Sequence, residues 1–231
     1  MQFAIATKRN SRPALYVVSP RATTPRCEQT SGGNGGLARA LARDEEVFAE
    51  GGDTDLFYKV VSGLVRTYKL LNDGRRHIDA FHFAGDIVGL ETGGVHRNSA
   101  EAVCDASVTS HRRSTLRAGS GVAIDRDFSD QMLLAMTRRL ECAGNHMLVL
   151  GCKNAQEKMA SFLLAMADRL ATGNRIDLPM MRSDIADHLG LPIETVSRAM
   201  AELARQGVIR ISAGHRTITL LDLGALKRLS G

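Results

Sequence analysis

The sequence predicts an α+β fold in which an N-terminal antiparallel β jelly roll precedes one long helix and a C-terminal winged helix-turn-helix. Short strand-like runs separated by turn residues fill the first half of the chain. An apolar repeat with a helical period follows, and two short helical patterns and two further strand-like runs come after it. We therefore divide the chain into a leader at 1–36, a β-roll at 37–126, a long helix at 127–153 and a C-terminal domain at 154–231.

The composition is that of an ordinary globular protein. Of 231 residues, 44% are hydrophobic and 24% are charged, and no apolar run approaches the ~20 residues that span a bilayer. The formal net charge is +5, but residues 1–30 hold five Lys or Arg against one acid. Such a charge permits a nucleic-acid partner without identifying one. Four scattered cysteines without a CxxC pair argue against a zinc site and indicate reduced thiols in a cytoplasmic protein.

Residues 1–36 lack the periodicity of a helix or a strand. They contain three prolines and a Gly-rich segment at 31–36, both typical of flexible chain. We expect a flexible leader here. A mitochondrial-type presequence is the alternative interpretation, because acidic residues are scarce in this stretch.

The next segment carries the signals of several short β-strands. Residues 56–61 and 63–71 are rich in β-branched and aromatic side chains, and residues 77–83 alternate between apolar and polar positions. Asn72-Asp73-Gly74 between two of these runs is a strong hairpin signal, because these residues tolerate the positive φ that tight turns need. Short strands at regular turn spacing predict an antiparallel jelly roll or barrel.

After residue 126 the apolar period changes from two residues to about 3.5. Six apolar residues recur at intervals of 3, 4, 3, 4 and 3: Leu133, Met136, Leu140, Ala143, Met147 and Leu150. This pattern is typical of two helices that interlock along a seam, so we predict a homodimer joined by residues 127–153. The alternative is a helix that packs only against its own β-roll.

Two short helical patterns with a turn between them occupy residues 182–206. Seven apolar residues form their inner faces: Ile185, Ala186, Leu189, Val196, Ala199, Met200 and Leu203. Ala186, Gly190 and Val196 supply a small, a flexible and a β-branched residue at the spacing of a helix-turn-helix. Met181 and Pro192 stand where Ser or Thr commonly caps the two helices, and the lost caps cost about 1 kcal/mol apiece.

The second helix exposes four side chains near its N-terminus, the end that enters a major groove: Ile193, Glu194, Ser197 and Arg198. A guanidinium can donate twice to guanine, and a carboxylate can accept from cytosine N4. We predict that these four residues read DNA bases and that Thr195 contacts the backbone. An ion pair between Glu194 and Arg198, one turn apart, is expected to hold the guanidinium in position. The alternative is a plain helical hairpin with a solvated surface pair.

Two strand-like runs at 207–211 and 217–221 flank a turn at 212–216. They predict a two-stranded wing beside the reading helix. His215 and Arg216 in that turn are placed to contact the DNA backbone. Helix, turn, helix and wing together indicate double-stranded DNA as the partner.

These motifs resemble the Crp/Fnr superfamily of transcription regulators across residues 40–226, and its FixK branch in particular. Ile-Glu-Thr-Val-Ser-Arg at 193–198 and Gln-Gly-Val-Ile at 206–209 are similar to that superfamily's reading helix. Residues 63–66, 73–74 and 83–91 are similar to its sensory β-roll of the cyclic-nucleotide-binding type. His-Arg at 96–97, followed by Ala-Glu-Ala at 100–102, is similar to FixK and Fnr proteins.

The resemblance implies a homodimer that binds DNA, recruits RNA polymerase and activates transcription. Glu194, Ser197 and Arg198 fall on base-reading positions, which implies TTGA and TCAA half-sites in a palindrome with a central spacer. By the same analogy, the protein would act in an oxygen-responsive cascade that controls microaerobic respiration and nitrogen fixation.

The chain also departs from the sensors of that superfamily. Only Cys27 precedes the β-roll and only Cys104 lies within it, and two thiols cannot supply the four ligands of an iron–sulfur cluster. Asp86 stands where cyclic-AMP receptors carry a ribose-binding Glu, and Arg-Asn-Ser at 97–99 breaks their phosphate-binding pair. We therefore expect no cofactor, neither an iron–sulfur cluster nor cyclic AMP, and no metal.

Two other function classes stay open at this point. One is an effector-binding sensor of the same fold that responds to a small molecule such as a cyclic nucleotide or a haem ligand. The other is an enzyme, but the sequence has no G-x-S-x-G, P-loop or H-E-x-x-H motif. Cys142 and Cys152 on the long helix are expected to play a small apolar role, with a redox switch as the alternative.

Overall fold

The structure is a computed structural model that describes residues 37–116, 126–214 and 216–231. The leader predicted at 1–36 lies outside the described residues. Eight strands pair into two antiparallel four-stranded sheets, in the orders β1-β8-β3-β6 and β2-β7-β4-β5. Their bounds are β1 Leu37–Leu41, β2 Glu46–Phe48, β3 Leu56–Ser62, β4 Leu64–Leu70, β5 Arg76–Phe83, β6 Ile87–Val88, β7 Ser99–Ala102 and β8 Ala106–Arg112. The predicted antiparallel β-roll is confirmed.

The chain crosses from one sheet to the other at Gly63, between β3 and β4. This glycine has a φ of +77°, and a Cβ at this position would lie 2.4 Å from the carbonyl oxygen of Asp105. Both the left-handed backbone and the close approach therefore require glycine. The sharp crossing lets Val60 and Val65 face the same core between the two sheets.

The β4–β5 hairpin forms where the Asn-Asp-Gly signal predicts it. Leu70 pairs with Arg76 across the turn. The Gly74 N–H donates to the Leu71 carbonyl at 2.9 Å, and the Leu71 N–H donates to the Arg75 carbonyl at 2.8 Å. Because the turn sets the register of both strands, it also determines which side chains the hairpin presents to the rest of the chain.

Five α-helices and a third, smaller sheet follow in the described residues. The helices are α1 Arg126–Cys152, α2 Ala155–Leu170, α3 Arg182–Leu189, α4 Ile193–Arg205 and α5 Leu223–Ser230. The smaller sheet is antiparallel in the order β10-β11-β9, with β9 at Arg175–Asp177, β10 at Ile209–Ile211 and β11 at Thr217–Leu220. Strand β9 and helix α5 were not predicted from the sequence. Over the described ranges, no helix is long and apolar enough to cross a membrane.

One continuous apolar core joins the β-roll to the C-terminal helices. Ile78 and Phe81 of β5 belong to the same buried cluster as Met159 and Phe162 of α2 and Leu189 of α3. Burial of each large apolar side chain contributes roughly 1.5–3 kcal/mol. The helix-turn-helix is therefore packed directly on the β4–β5 hairpin.

Two buried histidines make this fold sensitive to acid. Burial, with a smaller contribution from the neighbouring Arg139, lowers the pKa of His82 on β5 to about 3. Burial, with a smaller contribution from His146, lowers the pKa of His188 on α3 to about 3. In an unfolded chain a histidine titrates near pH 6.5, so below that pH the unfolded state takes up protons that the folded state does not.

We predict that the free energy of unfolding falls by up to about 1.4 kcal/mol per pH unit for each of these histidines as the pH drops from about 6.5 to about 5. Urea denaturation at several pH values measures this slope. The His82→Gln variant is expected to show a flatter dependence, because it removes one of the two histidines whose pKa the fold lowers. Equal slopes in the wild type and the His82→Gln variant would contradict the prediction.

Candidate nucleic-acid interface

Helices α3 and α4 are connected by a tight turn at Gly190. This residue ends α3 in the left-handed conformation, with a φ of 62°, which glycine adopts without a steric penalty. The Leu191 N–H then donates to the Ala186 carbonyl at 3.0 Å. The turn directs the chain into α4, which buries the four residues predicted for its inner face: Val196, Ala199, Met200 and Leu203.

Neither helix begins with a side-chain cap. Met181 and Pro192 are the N-cap residues, and neither side chain accepts a hydrogen bond. On α3, the carboxylate of Asp184 accepts a bond from the Met181 N–H at 3.0 Å, which satisfies one terminal donor. On α4, the Pro192 carbonyl accepts from the N–H groups of Thr195 and Val196 at 2.9 and 3.1 Å. The two helices thus begin as the sequence predicts, and local hydrogen bonds offset part of the lost caps.

The four predicted base-reading side chains are all exposed and lie within the first two turns of α4: Ile193, Glu194, Ser197 and Arg198. Residues that are three or four positions apart share one face of a helix, so this group faces away from the buried side of α4. Thr195, the predicted backbone contact on this helix, is only half-buried.

The ion pair expected between Glu194 and Arg198 is absent. Among the ion pairs of the described residues, none joins these two side chains, and Arg198 Nε instead donates to the Glu194 carbonyl oxygen at 3.3 Å. The expectation was wrong because a backbone acceptor one turn away already meets the guanidinium. Both charged groups stay exposed, and an incoming partner does not have to break an ion pair between them.

The predicted wing is formed by β10 and β11. Ile211 pairs with Ile218, and the Ser212 N–H donates to the Thr217 carbonyl at 2.9 Å. Arg216 lies in the connecting turn with an exposed side chain, while its carbonyl accepts from the Leu178 N–H at 2.9 Å. His215, the other predicted backbone contact, lies outside the described residues.

Helix α1 carries a strip of apolar side chains that a single chain leaves uncovered. Leu133, Leu140 and Met147 are 67%, 75% and 69% exposed. Of the other residues predicted for the seam, Ala143 is also exposed, whereas Met136 is 42% exposed and lines a cavity, and Leu150 is half-buried beside the turn after α3.

A cavity of about 320 Å³ lies between the β-roll and α1. Its polar lining includes Glu91, Arg97, Asn98 and Arg139. The Arg97 N–H donates to Glu91 at 2.8 Å, and Arg139 donates to Asp79 at 2.8 Å, so part of this lining is already paired within the chain. The cavity is thus a concave space with a partly polar lining beside α1.

Asp86 does not line that cavity. Its carboxylate accepts from the Phe83 N–H and from Arg169 Nη2 of α2, each at 2.8 Å. Asp86 stands in the sequence where cyclic-AMP receptors carry a ribose-binding Glu, and here its carboxylate is already paired within the chain. The Asp86 carboxylate is thus used by the turn after β5 and by an ion pair to α2. The carboxylate that lines the cavity belongs to Glu91.

A cluster of charged residues at the contact between α3 and the β-roll was not predicted. We call this group the ion cluster; its members are Asp44, Arg66, Arg76, Glu101, Asp184 and Asp187. Asp184 lies on the inner face of α3, where the sequence pattern indicated only apolar residues. No signal in the sequence could have paired it with arginines that precede it by more than a hundred residues.

The free cysteines and the histidines form no further site in the described part of the chain. Cys142 and Cys152 are exposed, so the small apolar role expected for them is not seen in a single chain, and Cys104 is half-buried. Within the described ranges, no group of three His, Cys, Asp or Glu side chains could hold a metal ion.

Comparisons with known proteins agree with this architecture. Residues 157–229 match the Crp-like helix-turn-helix domain, and residues 38–118 match the cyclic nucleotide-binding domain. The chain is 42% identical over 199 residues to the nitrogen fixation regulation protein FixK of Azorhizobium caulinodans, across 84% of this chain and 79% of the relative. It is 38% identical over 184 residues to the protein of that name from Rhizobium meliloti, across 80% and 82%.

The structure of FixK2 from Bradyrhizobium japonicum has the same fold, with a TM-score of 0.78 at 43% identity over 86% of this chain and 98% of that chain. These relatives are named as regulation proteins. A Crp-like helix-turn-helix and FixK relatives over most of the chain establish the family and its function. The chain belongs to the Crp/Fnr family of DNA-binding transcription regulators.

Proposed function

We propose that the protein is a homodimeric transcription activator that recognises a palindrome of TTGA and TCAA half-sites around a central spacer. The observation that carries this proposal is the exposed group on the first two turns of α4. That end of a reading helix enters the major groove in helix-turn-helix proteins. Ile193, Glu194, Ser197 and Arg198 would read the bases there.

The side-chain chemistry fits these half-sites. Arg198 can donate two hydrogen bonds to O6 and N7 of the guanine in TTGA, and Glu194 can accept from N4 of the cytosine on the opposite strand. Because the two side chains form no ion pair with each other, base contacts do not have to break one. Thr195, Arg216 and His215 would contact the DNA backbone and set the orientation of α4 in the groove.

The homodimer is supported by the uncovered apolar strip on α1. This helix has 27 residues, which corresponds to a length of about 40 Å, and five of its leucine and methionine side chains are more than half exposed, among them Leu133, Leu140 and Met147 of the seam. A second copy of the same helix would cover the strip along the seam at Leu133, Met136, Leu140, Ala143, Met147 and Leu150. Two-fold symmetry then presents two reading helices to the two half-sites.

The setting is inferred from the relatives. FixK proteins are named as regulators of nitrogen fixation. We infer that this chain works in the bacterial cytoplasm, recruits RNA polymerase and acts in an oxygen-responsive cascade for microaerobic respiration and nitrogen fixation.

A second candidate function is effector sensing through the β-roll. The cavity beside α1 favours it, because Met136 of the proposed seam and Arg97 of the roll line the same space. A small molecule bound there could alter the seam directly. Under this second candidate function the helix-turn-helix would respond to the ligand, and DNA binding would depend on the presence of that ligand.

For base reading, we predict that Arg198→Ala lowers affinity for a TTGA/TCAA duplex by ~1–3 kcal/mol per half-site and relaxes discrimination at the guanine. Fluorescence anisotropy with matched and single-base-changed duplexes measures both effects. Arg205→Ala is the matched control, because Arg205 is an exposed arginine on the same helix that pairs with Glu202 at 2.6 Å. Unchanged affinity and preference in Arg198→Ala would rule out this base-reading role.

For the dimer, Leu140→Glu is expected to shift the protein from dimer to monomer, because it places a charge in the apolar seam. Sedimentation velocity reports the mass, and binding to the palindrome should weaken in parallel. Asn145→Glu adds the same charge at an exposed position of α1 outside the seam and should leave the dimer intact. A dimeric Leu140→Glu protein would contradict the proposed interface.

For the cavity, cyclic AMP is expected neither to raise affinity for the palindrome nor to raise the melting temperature. Differential scanning calorimetry and anisotropy titrations with and without the nucleotide test this. DNA binding that requires cyclic AMP would establish effector sensing as the principal role of the β-roll.

A further inference from the structure

Asp184 carries a buried carboxylate in the helix-turn-helix and is not one of the proposed base-reading residues. It is 1% exposed and shares the inner face of α3 with Ile185 and Leu189. Removing a carboxylate from water is costly unless other charges and hydrogen bonds replace the water. The partners of Asp184 therefore show which contacts offset the cost of burying a charge at this position.

Both charged partners of Asp184 come from the β-roll. Arg66 of β4 donates from Nη1 to Oδ2 at 2.9 Å, and Arg76 of β5 donates from Nη2 to Oδ1 at 2.6 Å. Arg76 also donates from Nε to Asp187, one turn further along α3, at 2.8 Å. A planar guanidinium fixes the direction of each bond as well as its length, so these contacts set both the position and the tilt of α3 on the hairpin.

The guanidinium of Arg66 is itself held from the opposite side. Its Nε donates to Glu101 of β7 at 2.8 Å, and its Nη2 donates to Asp44 at 2.9 Å. The Arg66 side chain is 5% exposed, so salt screens these contacts only weakly. Helix α3 therefore cannot slide along the hairpin without breaking several directional bonds together.

The apolar contacts at the same interface place no comparable restriction on α3. Phe81 of β5 meets Phe162 of α2 edge-on, with ring centroids 6.4 Å apart, within the shared core. Apolar burial is non-directional, and a small shift of the helix would preserve most of it. Directional contacts therefore select the placement of α3 on the hairpin: the ion cluster, and the hydrogen bond between His188 Nδ1 and the Ile78 carbonyl at 3.0 Å.

We propose that Asp184 and Arg76 are positioning residues that set the spacer length between the half-sites that the dimer accepts. The inference rests on the proposed palindrome recognition. Helix α4 follows α3 directly after Gly190, so a displacement of α3 carries Glu194 and Arg198 with it. In a two-fold dimer the same displacement occurs in both subunits and changes the separation of the two reading helices.

The test compares Arg76→Gln with Arg75→Gln in the full chain. Arg75 lies next to Arg76 and forms an ion pair with Asp73 in the exposed turn, so the control removes the same charge without touching α3. Asp184→Asn is the reciprocal variant, since its amide oxygen can still accept from the Met181 N–H. Each protein is titrated with a single TTGA half-site and with palindromes whose spacer is varied one base pair at a time.

Arg76→Gln and Asp184→Asn should bind the preferred spacer about tenfold more weakly, with a flatter preference among spacers and less than about twofold change on a single half-site. Arg75→Gln should behave as the wild type, and Arg76→Lys should restore part of the preference. An equal loss on single half-sites and on every spacer would show a merely structural role and overturn the proposal.

A second measurement separates this proposal from the proposed DNA target. Spin labels at Val61→Cys on β3 and Ala201→Cys on α4, in a background with the native cysteines replaced, report the distance between the roll and the reading helix without DNA. Wild type and Arg75→Gln should give one narrow distribution, and Arg76→Gln a broader or displaced one. An unchanged distribution overturns the positioning role. A wild type that fails to bind TTGA duplexes, or binds every spacer equally, refutes the palindrome instead.

Discussion

The packing of α3 and α2 against the β4–β5 hairpin is the contact on which the placement of the reading helix depends. Phe81 and Ile78 supply the roll's side of a core that continues through Met159 to Leu189. Apolar burial of this kind supplies most of the free energy that holds two layers of structure together. The proposed base-reading group on α4 therefore has a defined place relative to the roll.

Polar contacts beside that core fix the position and direction of α3. A buried ion network is weak evidence for stability, because the cost of removing charges from water offsets much of their attraction. Arg66 and Asp184 nevertheless meet at 2.9 Å with almost no exposure, and their bonds are directional. Apolar side chains thus hold the helix-turn-helix on the roll, and the directional bonds of the ion cluster determine where on the roll it is held.

Helix α1 stands apart from this packed unit in one respect. It bears apolar side chains such as Leu140 on its surface, and it also forms a wall of the cavity through Met136 and Arg139. In the proposed dimer, a seam and a cavity on one helix would provide a short physical route from the β-roll to the partner subunit. Family membership establishes that the chain is a transcription regulator. Helix α1 is the element through which an effector and a second copy of the chain could influence one another.

The sequence by itself determined the local structure: the hairpin at Asp73, the turn at Gly190 and the exposed Arg198 each follow from neighbours within a few residues, where backbone preferences and helical periodicity act. Only the tertiary structure decided that Asp184 is buried against Arg76, that Asp86 serves a turn and not the cavity, and that Arg198 meets the Glu194 carbonyl and not the Glu194 carboxylate. The reason is physical. A charged side chain takes the partner that the packed chain brings within hydrogen-bond distance, and no pattern of neighbours along the sequence encodes a contact between residues 76 and 184.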